Sequence, residues 1–323
     1  MKYRQLGGTG FEVSTVSLGT WAMGGADWGK VDDRDSIKAV HRALDLGVNL
    51  FDTAPIYGNG RAEEVLGRAL GPIRQDVFVA TKCGPVPVRP GMIRMDLSPD
   101  GLVDQCDESL RRLHTDYIDL LQVHWNDAAY PVQKTMEGLR RLVKAGKVRA
   151  VGVSNFDLDD LTLAADAGDL ASLQSRYNLI CRELESGILP LCRHHKVGFL
   201  SYEPLGRGLL TGKFESPRPF EPGDIRRQDP RFEGEVFENH IRVGKGLSNL
   251  AWRQGITAAQ LAVGWNLRDP VVTTSICGAK TAAQIVECAK ASDMDLDPDT
   301  LEEAGEIARS VARMAEQATV DSP

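Results

Sequence analysis

Four residue types that move protons stand at or just after the ends of successive apolar runs. Asp52 closes "VNLFD", Tyr57 follows in "TAPIYG", Lys82 closes "VFVATK" and His124 closes "YIDLLQVH". An acid, a phenol, an amine and an imidazole make a proton-transfer set. A phenol with a reference pKa of about 10 is a poor acid at neutral pH, and a nearby ammonium is expected to lower that value by stabilising phenolate. Lys82 is suited to this, Asp52 to keeping the lysine charged and aimed, and His124 to hydrogen-bonding a substrate carbonyl oxygen. Taken singly, each has a simpler reading: a turn cap, a packing ring, a snorkelling lysine and a bonded core histidine. Their common placement at strand ends is what sets them apart. A Schiff-base role for Lys82, as in a barrel aldolase, is disfavoured because the paired acid keeps the amine protonated.

The elements that must position this set alternate along the chain. Strand-like runs occur at 15–19, 48–52, 77–82, 117–124, 148–154, 171–175, 197–202 and 272–278, with helical spacing of apolar residues between them, as in "DSIKAVHRALDLG" and "PVQKTMEGLRRLVKAG". Eight strand–helix units in 323 residues predict one α/β domain, a (β/α)8 TIM barrel, whose strand ends share one mouth. The opening "YRQLGGTGFEVS" reads as a β-hairpin, its Gly-rich turn carrying no dinucleotide fingerprint. The stretch 204–240, rich in Gly, Pro and charge, reads as a long loop after the seventh barrel strand, where phosphate-binding elements often lie. "TLEEAGEIARSVARMAEQ" reads as an extra amphipathic C-terminal helix packed over the barrel.

Bulk properties narrow the partners. A net charge of −7 spread over the chain disfavours nucleic acid. The cysteines Cys83, Cys106, Cys181, Cys192, Cys277 and Cys288 lie far apart with no CxxC, which suggests neither a zinc knuckle nor a disulfide framework. No signal-like start or membrane-length apolar run is present, so a cytoplasmic protein without membrane partners is expected. Oligomeric state is not legible.

"FDTAPIYG", "ATKCG", "DYIDLLQVHW", "GVSNF", "SYEPLGRGLLTGK" and "CGAKTAAQIVE" together resemble the aldo-keto reductases, in the family's order and from the hairpin to about residue 290. The wording is similar to the bacterial branch related to potassium-channel β-subunits. The resemblance implies a nicotinamide cofactor, NADPH with NADH as the alternative, and a small carbonyl substrate reduced by hydride transfer with Tyr57 as general acid. It implies cofactor contacts from Gly19, Thr20, Trp21 and Asp52, and carboxamide contacts from Ser154, Asn155 and Gln174, with Tyr202 stacked on the ring. Taken alone, Ser154 and Asn155 read more simply as caps of a helix beginning near Phe156. Pro204, Leu205, Gly206, Gly208 and Lys213 form a candidate pyrophosphate cradle, which Arg226 would approach from the long loop. Gly278, Lys280 and Thr281 precede a helix N-terminus suited to a 2′-phosphate, with Gln284, Glu287 and Cys288 on the adenine side. Cys277 and Cys288 depart from the family's usual proline and asparagine, and a thiol in place of the amide is expected to weaken adenosine binding. Trp21, Trp28, Tyr57, His124, Trp125 and Asn126, with Asp127, are the expected substrate wall, suited to a sugar- or polyol-derived carbonyl. The same site run backwards would be an alcohol or aldose dehydrogenase, and without turnover it would be a cofactor-bound redox sensor.

Overall fold

Strands that are apolar on both faces must be covered on both, and here they close on themselves. The computed structural model describes residues 1–25, 27–29, 31–89 and 92–320, with residues 311–320 as backbone only. A hairpin of β1 (Tyr3–Gln5) and β2 (Glu12–Ser14) opens the chain. The barrel strands follow as β3 (Val16–Gly19), β4 (Leu50–Asp52) and β5 (Phe78–Cys83). A second hairpin, β6 (Pro85–Arg89) with β7 (Met92–Met95), interrupts the alternation. The barrel resumes with β8 (Ile118–Val123), β9 (Val148–Ser154), β10 (Leu170–Arg176), β11 (Gly198–Tyr202) and β12 (Val272–Gly278). These eight form a closed ring in the order β3-β4-β5-β8-β9-β10-β11-β12, every pair parallel. The eight strands expected from the sequence are the eight of the barrel.

The helices are α1 (Asp33–Asp45), α2 (Arg61–Leu70), α3 (Pro99–Leu113), α4 (Val132–Lys144) and α5 (Leu158–Asp166). They continue as α6 (Ile188–His195), α7 (Gly234–Arg253), α8 (Ala258–Asn266), α9 (Ala282–Lys290) and α10 (Pro298–Val320). Side-chain caps start several of them: Asp32 on α1, Ser98 on α3 and Asp157 on α5 each accept a bond from a first-turn amide. The main core lies between the barrel and its helices, while a smaller core of Leu50, Ala80, Leu120, Leu200 and Ile276 fills the lumen. Leu6 and Val13 of the opening hairpin plug the lumen from the N-terminal side, which leaves the C-terminal end for chemistry.

Two expectations are adjusted. The long loop ends sooner than 240, because α7 begins at Gly234 and short 3-10 turns at Gly206–Thr211, Ile225–Gln228 and Pro230–Phe232 give the rest local order. The β6–β7 hairpin has no counterpart in the sequence reading, since Pro85 and Pro87 discourage a strand assignment there. The C-terminal helix does pack over the barrel's helical layer, burying Ala304 and Ala308, with Ile307 close to Gly246 of α7. Its side chains beyond residue 310 lie outside the described residues.

The link between β4 and α2 carries Tyr57, and its shape is tightly fixed. Gly58 has φ +64 and packs so closely on Gly24 that a Cβ would stand 2.2 Å from the Gly24 carbonyl oxygen. Below the turn, Glu63 on α2 is fully buried and accepts from Thr81 Oγ1 and from Arg112 Nε, each at 2.6 Å. One carboxylate therefore joins the Tyr57 turn's helix to the strand of Lys82 and to α3. Arg112 also reaches Glu108 at 3.5 Å, so loss of Glu63 removes its charge-assisted bonds without stranding the guanidinium. Glu63→Ala is expected to lose about 1.5–3 kcal/mol of stability in urea unfolding, and a loss under about 1 kcal/mol would show that the pair does not hold the turn.

Candidate active site

Parallel register brings the four proton-moving residues to one end of the barrel. Asp52 is level with Gly19 and Ala80 on its neighbours, Lys82 pairs with Gln122, and the His124 amide donates to the Cys83 carbonyl at 2.9 Å. Lys82 is 1% exposed and Asp52 is 3% exposed. The Lys82 ammonium donates to Asp52 Oδ1 at 2.9 Å and Oδ2 at 2.8 Å, to the Thr53 carbonyl at 3.0 Å and to Tyr57 Oη at 3.3 Å. An ammonium has donors only, so Tyr57 Oη accepts in this contact. The phenol's own proton is therefore free to point elsewhere.

The direction of the Tyr57 shift corrects the expectation from sequence. Burial and then the Asp52 charge push its pKa well above 10, so Lys82 does not produce a net lowering. Tyr57 is held protonated, which is the state a general acid needs. When the proton leaves, the nearby ammonium is in place to stabilise the phenolate. His124 shifts the other way: burial and then the Lys82 charge lower its pKa well below 6.5, so the imidazole is neutral. Its ring stacks on Trp125 with centroids 4.0 Å apart and meets the edge of Tyr57 at 6.1 Å. A neutral imidazole has one N–H to offer a carbonyl oxygen and no charge to neutralise.

The residues expected around the carboxamide gather on the facing wall, with much of their hydrogen bonding already in use. Gln174 Nε2 donates to Asp52 Oδ2 at 2.7 Å. Asn155, at φ +57, donates from Nδ2 to the His124 carbonyl at 3.1 Å and to Ser154 Oγ at 3.0 Å, and its Oδ1 accepts from Tyr202 Oη at 2.8 Å. The simpler capping role for Ser154 and Asn155 does not hold, because Asp157 caps α5. Trp21 runs roughly parallel to Tyr57 at 6.0 Å and donates to Asp27 at 2.9 Å, while Thr20 donates its amide to the Asp52 carbonyl. Asn126 and Asp127 fit the expected substrate wall less well. Asn126 Nδ2 is bound to Asp160 at 2.7 Å, and Asp127 Oδ1 accepts from the Ala129 amide in a local turn. A separate cavity of about 470 Å³, walled by Pro55, Asn59, Pro87, Arg94, Asp104 and Arg112, contains none of the four proton-moving residues.

Basic groups cluster where a phosphate-bearing group was expected. The Lys213 pKa is lowered to about 8, by burial first and then by Arg226 and Arg218. Burial and Arg226 also lower that of Lys280. A Cβ on Gly208, at φ +97, would stand 2.4 Å from Lys213 Nζ, so the loop is shaped closely around that amine. Lys280 Nζ donates to the Trp28 carbonyl, and Arg226 is paired with Asp224 while lying 5.6 Å from the Trp28 ring centroid. Gln284 forms a capping box with Thr281 and accepts from the Lys280 amide at 2.7 Å, which fixes the α9 N-terminus. Cys288 is 3% exposed beside Cys277, in the core rather than on an open face. Clustered basic groups beside a helix N-terminus fit a dinucleotide phosphate.

The closed parallel barrel therefore carries Asp52, Tyr57, Lys82 and His124 together at one end, with Lys213, Arg226 and Lys280 clustered on the loops after β11 and β12. The Aldo/keto reductase family model matches residues 15–309, and the chain belongs to that family of nicotinamide-dependent oxidoreductases. It is 39% identical over 288 residues to the aldo-keto reductase YhdN of Bacillus subtilis (strain 168), covering 88% of this chain and 87% of that one. It is 33% identical to the NADH-specific methylglyoxal reductase of Escherichia coli (strain K12), covering 97% and 100%. The solved structure of the glycerol dehydrogenase AKR11B4 from Gluconobacter oxydans superposes with a TM-score of 0.87 at 35% identity, covering 94% of each chain.

The neutral His124 has a consequence for stability. Below pH 6.5 the unfolded chain binds a proton at this residue that the folded chain refuses, so folding stability falls as pH drops from 6.5 toward the depressed folded value. His124→Asn is expected to flatten this decline by up to about 1.4 kcal/mol per pH unit. Urea midpoints for both proteins between pH 7 and pH 5 measure it, and parallel curves would mean that His124 titrates normally.

Proposed function

We propose that the protein reduces a small aldehyde or ketone to the alcohol with NADPH, using Tyr57 as general acid. The observation that carries this is the Lys82 ammonium bound to Asp52 while it donates to Tyr57 Oη, which leaves the phenolic proton for a substrate oxygen. A carbonyl oxygen set between Tyr57 Oη and the neutral His124 ring would be oriented by both. The Tyr57 proton would pass to that oxygen as negative charge develops on it, and Lys82 would stabilise the phenolate that remains. The nicotinamide cofactor supplies the hydride; the chain supplies orientation, the proton and a site shielded from bulk water.

The cofactor's residues are assigned on fit. Ser154, Gln174 Oε1 and Tyr202 border the ring position, Lys213 and Arg226 the pyrophosphate, and Lys280 with Thr281 a 2′-phosphate, which favours NADPH. The relative named NADH-specific makes this preference the point most in need of measurement. Trp21, Trp28 and Trp125 offer aromatic faces to the substrate and suit sugar- or polyol-derived carbonyls as well as flat ones. A second reading, alcohol oxidation by the same residues in reverse, is favoured by the glycerol dehydrogenase likeness.

Protein-fluorescence titration is expected to give a dissociation constant for NADPH at least about tenfold below that for NADH, since a charged contact is worth roughly 1.5–3 kcal/mol. Equal affinities would remove the NADPH assignment and leave the chemistry standing. Tyr57→Phe is expected to lower carbonyl turnover by about 10²- to 10⁴-fold with cofactor affinity nearly unchanged. Wild-type turnover in that variant would show that Tyr57 is not the acid.

A further inference from the structure

Gln174 makes a contact that a role in holding the cofactor does not require. Its Nε2 donates at 2.7 Å to Asp52 Oδ2, the same oxygen that receives Lys82 at 2.8 Å. Both side chains are buried, at 2% and 3% exposure. Gln174 lies on β10 and Asp52 on β4, and three strands separate these on either side of the ring. The bond therefore crosses the lumen between opposite walls. On one side stand β4 and β5 with Asp52 and Lys82; on the other, Ser154 is in register with Gln174.

A carboxylate on a short side chain turns easily about its last torsion, which is broad. Asp52 meets the ammonium with both oxygens, at 2.9 and 2.8 Å, only while its plane is held. A second donor arriving from the far wall fixes that plane. The strut also fixes the amide: with Nε2 turned to Asp52, the group's other end is Oε1, an acceptor, and among the described residues no donor meets it. We propose that Gln174 is a positioning residue of the proton-transfer set, a cross-barrel strut that holds the Asp52 carboxylate in plane and, through it, the Lys82 ammonium that steadies Tyr57. The catalytic consequence rests on the reductase reading; the strut itself is a contact within the chain.

Length is part of the device. Asparagine keeps the amide but is shorter by about 1.5 Å, one carbon–carbon bond, and methionine keeps the length but has no donor. Gln174→Met and Gln174→Asn are therefore expected to act alike on the strut, and the volume-conserving Gln174→Met is the safer variant for folding. Single-turnover reduction of methylglyoxal at saturating NADPH is expected to slow about tenfold or more in both, because misplacing a reacting group costs rate even with ligands bound. Trp252→Ala, a change at an exposed residue of α7 with no part in the site, is expected to leave both the NADPH dissociation constant and the single-turnover rate within about twofold of wild type. If Gln174→Met changed only the dissociation constant, the positioning role would be overturned. A readout without cofactor separates the two readings: the Gln174 side-chain amide resonance, assigned by its loss in Gln174→Met, should move when Asp52 is replaced by Asn. An unmoved resonance would overturn the strut. Absence of carbonyl turnover in the wild-type protein would instead sink the reductase reading, with the amide shift still deciding whether the strut exists.

Discussion

A lysine with 1% of its surface exposed is the constraint on which the rest of this structure depends. An ammonium taken out of water must find acceptors inside the protein or lose its charge. Lys82 finds a carboxylate, a main-chain carbonyl and a phenol oxygen, and these come from three consecutive pieces of chain: the end of β4, the residue after it and the turn before α2. Meeting one buried charge thus dictates where Asp52, Thr53 and Tyr57 stand. The parallel register of β4 and β5 is what allows it, since it sets the C-terminal ends of both strands level.

The same pairing decides the electrostatics of the phenol. Sequence reasoning about an acid, an amine and a phenol counts the amine's effect on the phenol and overlooks that the acid acts on it too. Burial is the larger cause of the raised Tyr57 pKa and the Asp52 charge the second, so the phenol proton is held firmly at rest. The lysine meets the phenol through a hydrogen bond that Tyr57 Oη accepts, and it produces no net lowering.

How much was legible follows from what each residue's neighbours are. The eight barrel strands were readable as short strand-like runs separated by helical spacing, and the four proton-moving residues because they stand at or just after the ends of three of the most apolar runs. The opening hairpin was readable from its Gly-rich turn. The β6–β7 hairpin was not, because proline at 85 and 87 argues against a strand and its pairing is with itself at the barrel's rim. Cross-barrel contacts were illegible in principle. Gln174 and Asp52 are 122 positions apart, and nothing local to "LQSRYN" indicates that its amide reaches the opposite wall. Gln284 also closes a capping box on α9, a role its spacing from Thr281 does signal.

The basic cluster follows a different logic from the mouth. At the mouth every buried charge has its partner within the protein, whereas Lys213 lies exposed near Arg226, Arg218 and Lys280, which together with partial desolvation lower its pKa to about 8. Like charges gathered in this way oppose folding, and a lysine so placed is stabilised when an anion arrives. The 27–28 stretch is held at the same place from two directions, by the Ile225 amide bonded to the Asp27 carbonyl and by Lys280 on the Trp28 carbonyl. The loop after β11 and the loop after β12 therefore meet over the loop after β3, and in this cluster of cations Asp224 is a counter-charge, paired with Arg226. The fold thus meets Lys82 with acceptors of its own, while Lys213 stands among other cations with Asp224, already paired with Arg226, as the opposite charge acting on it.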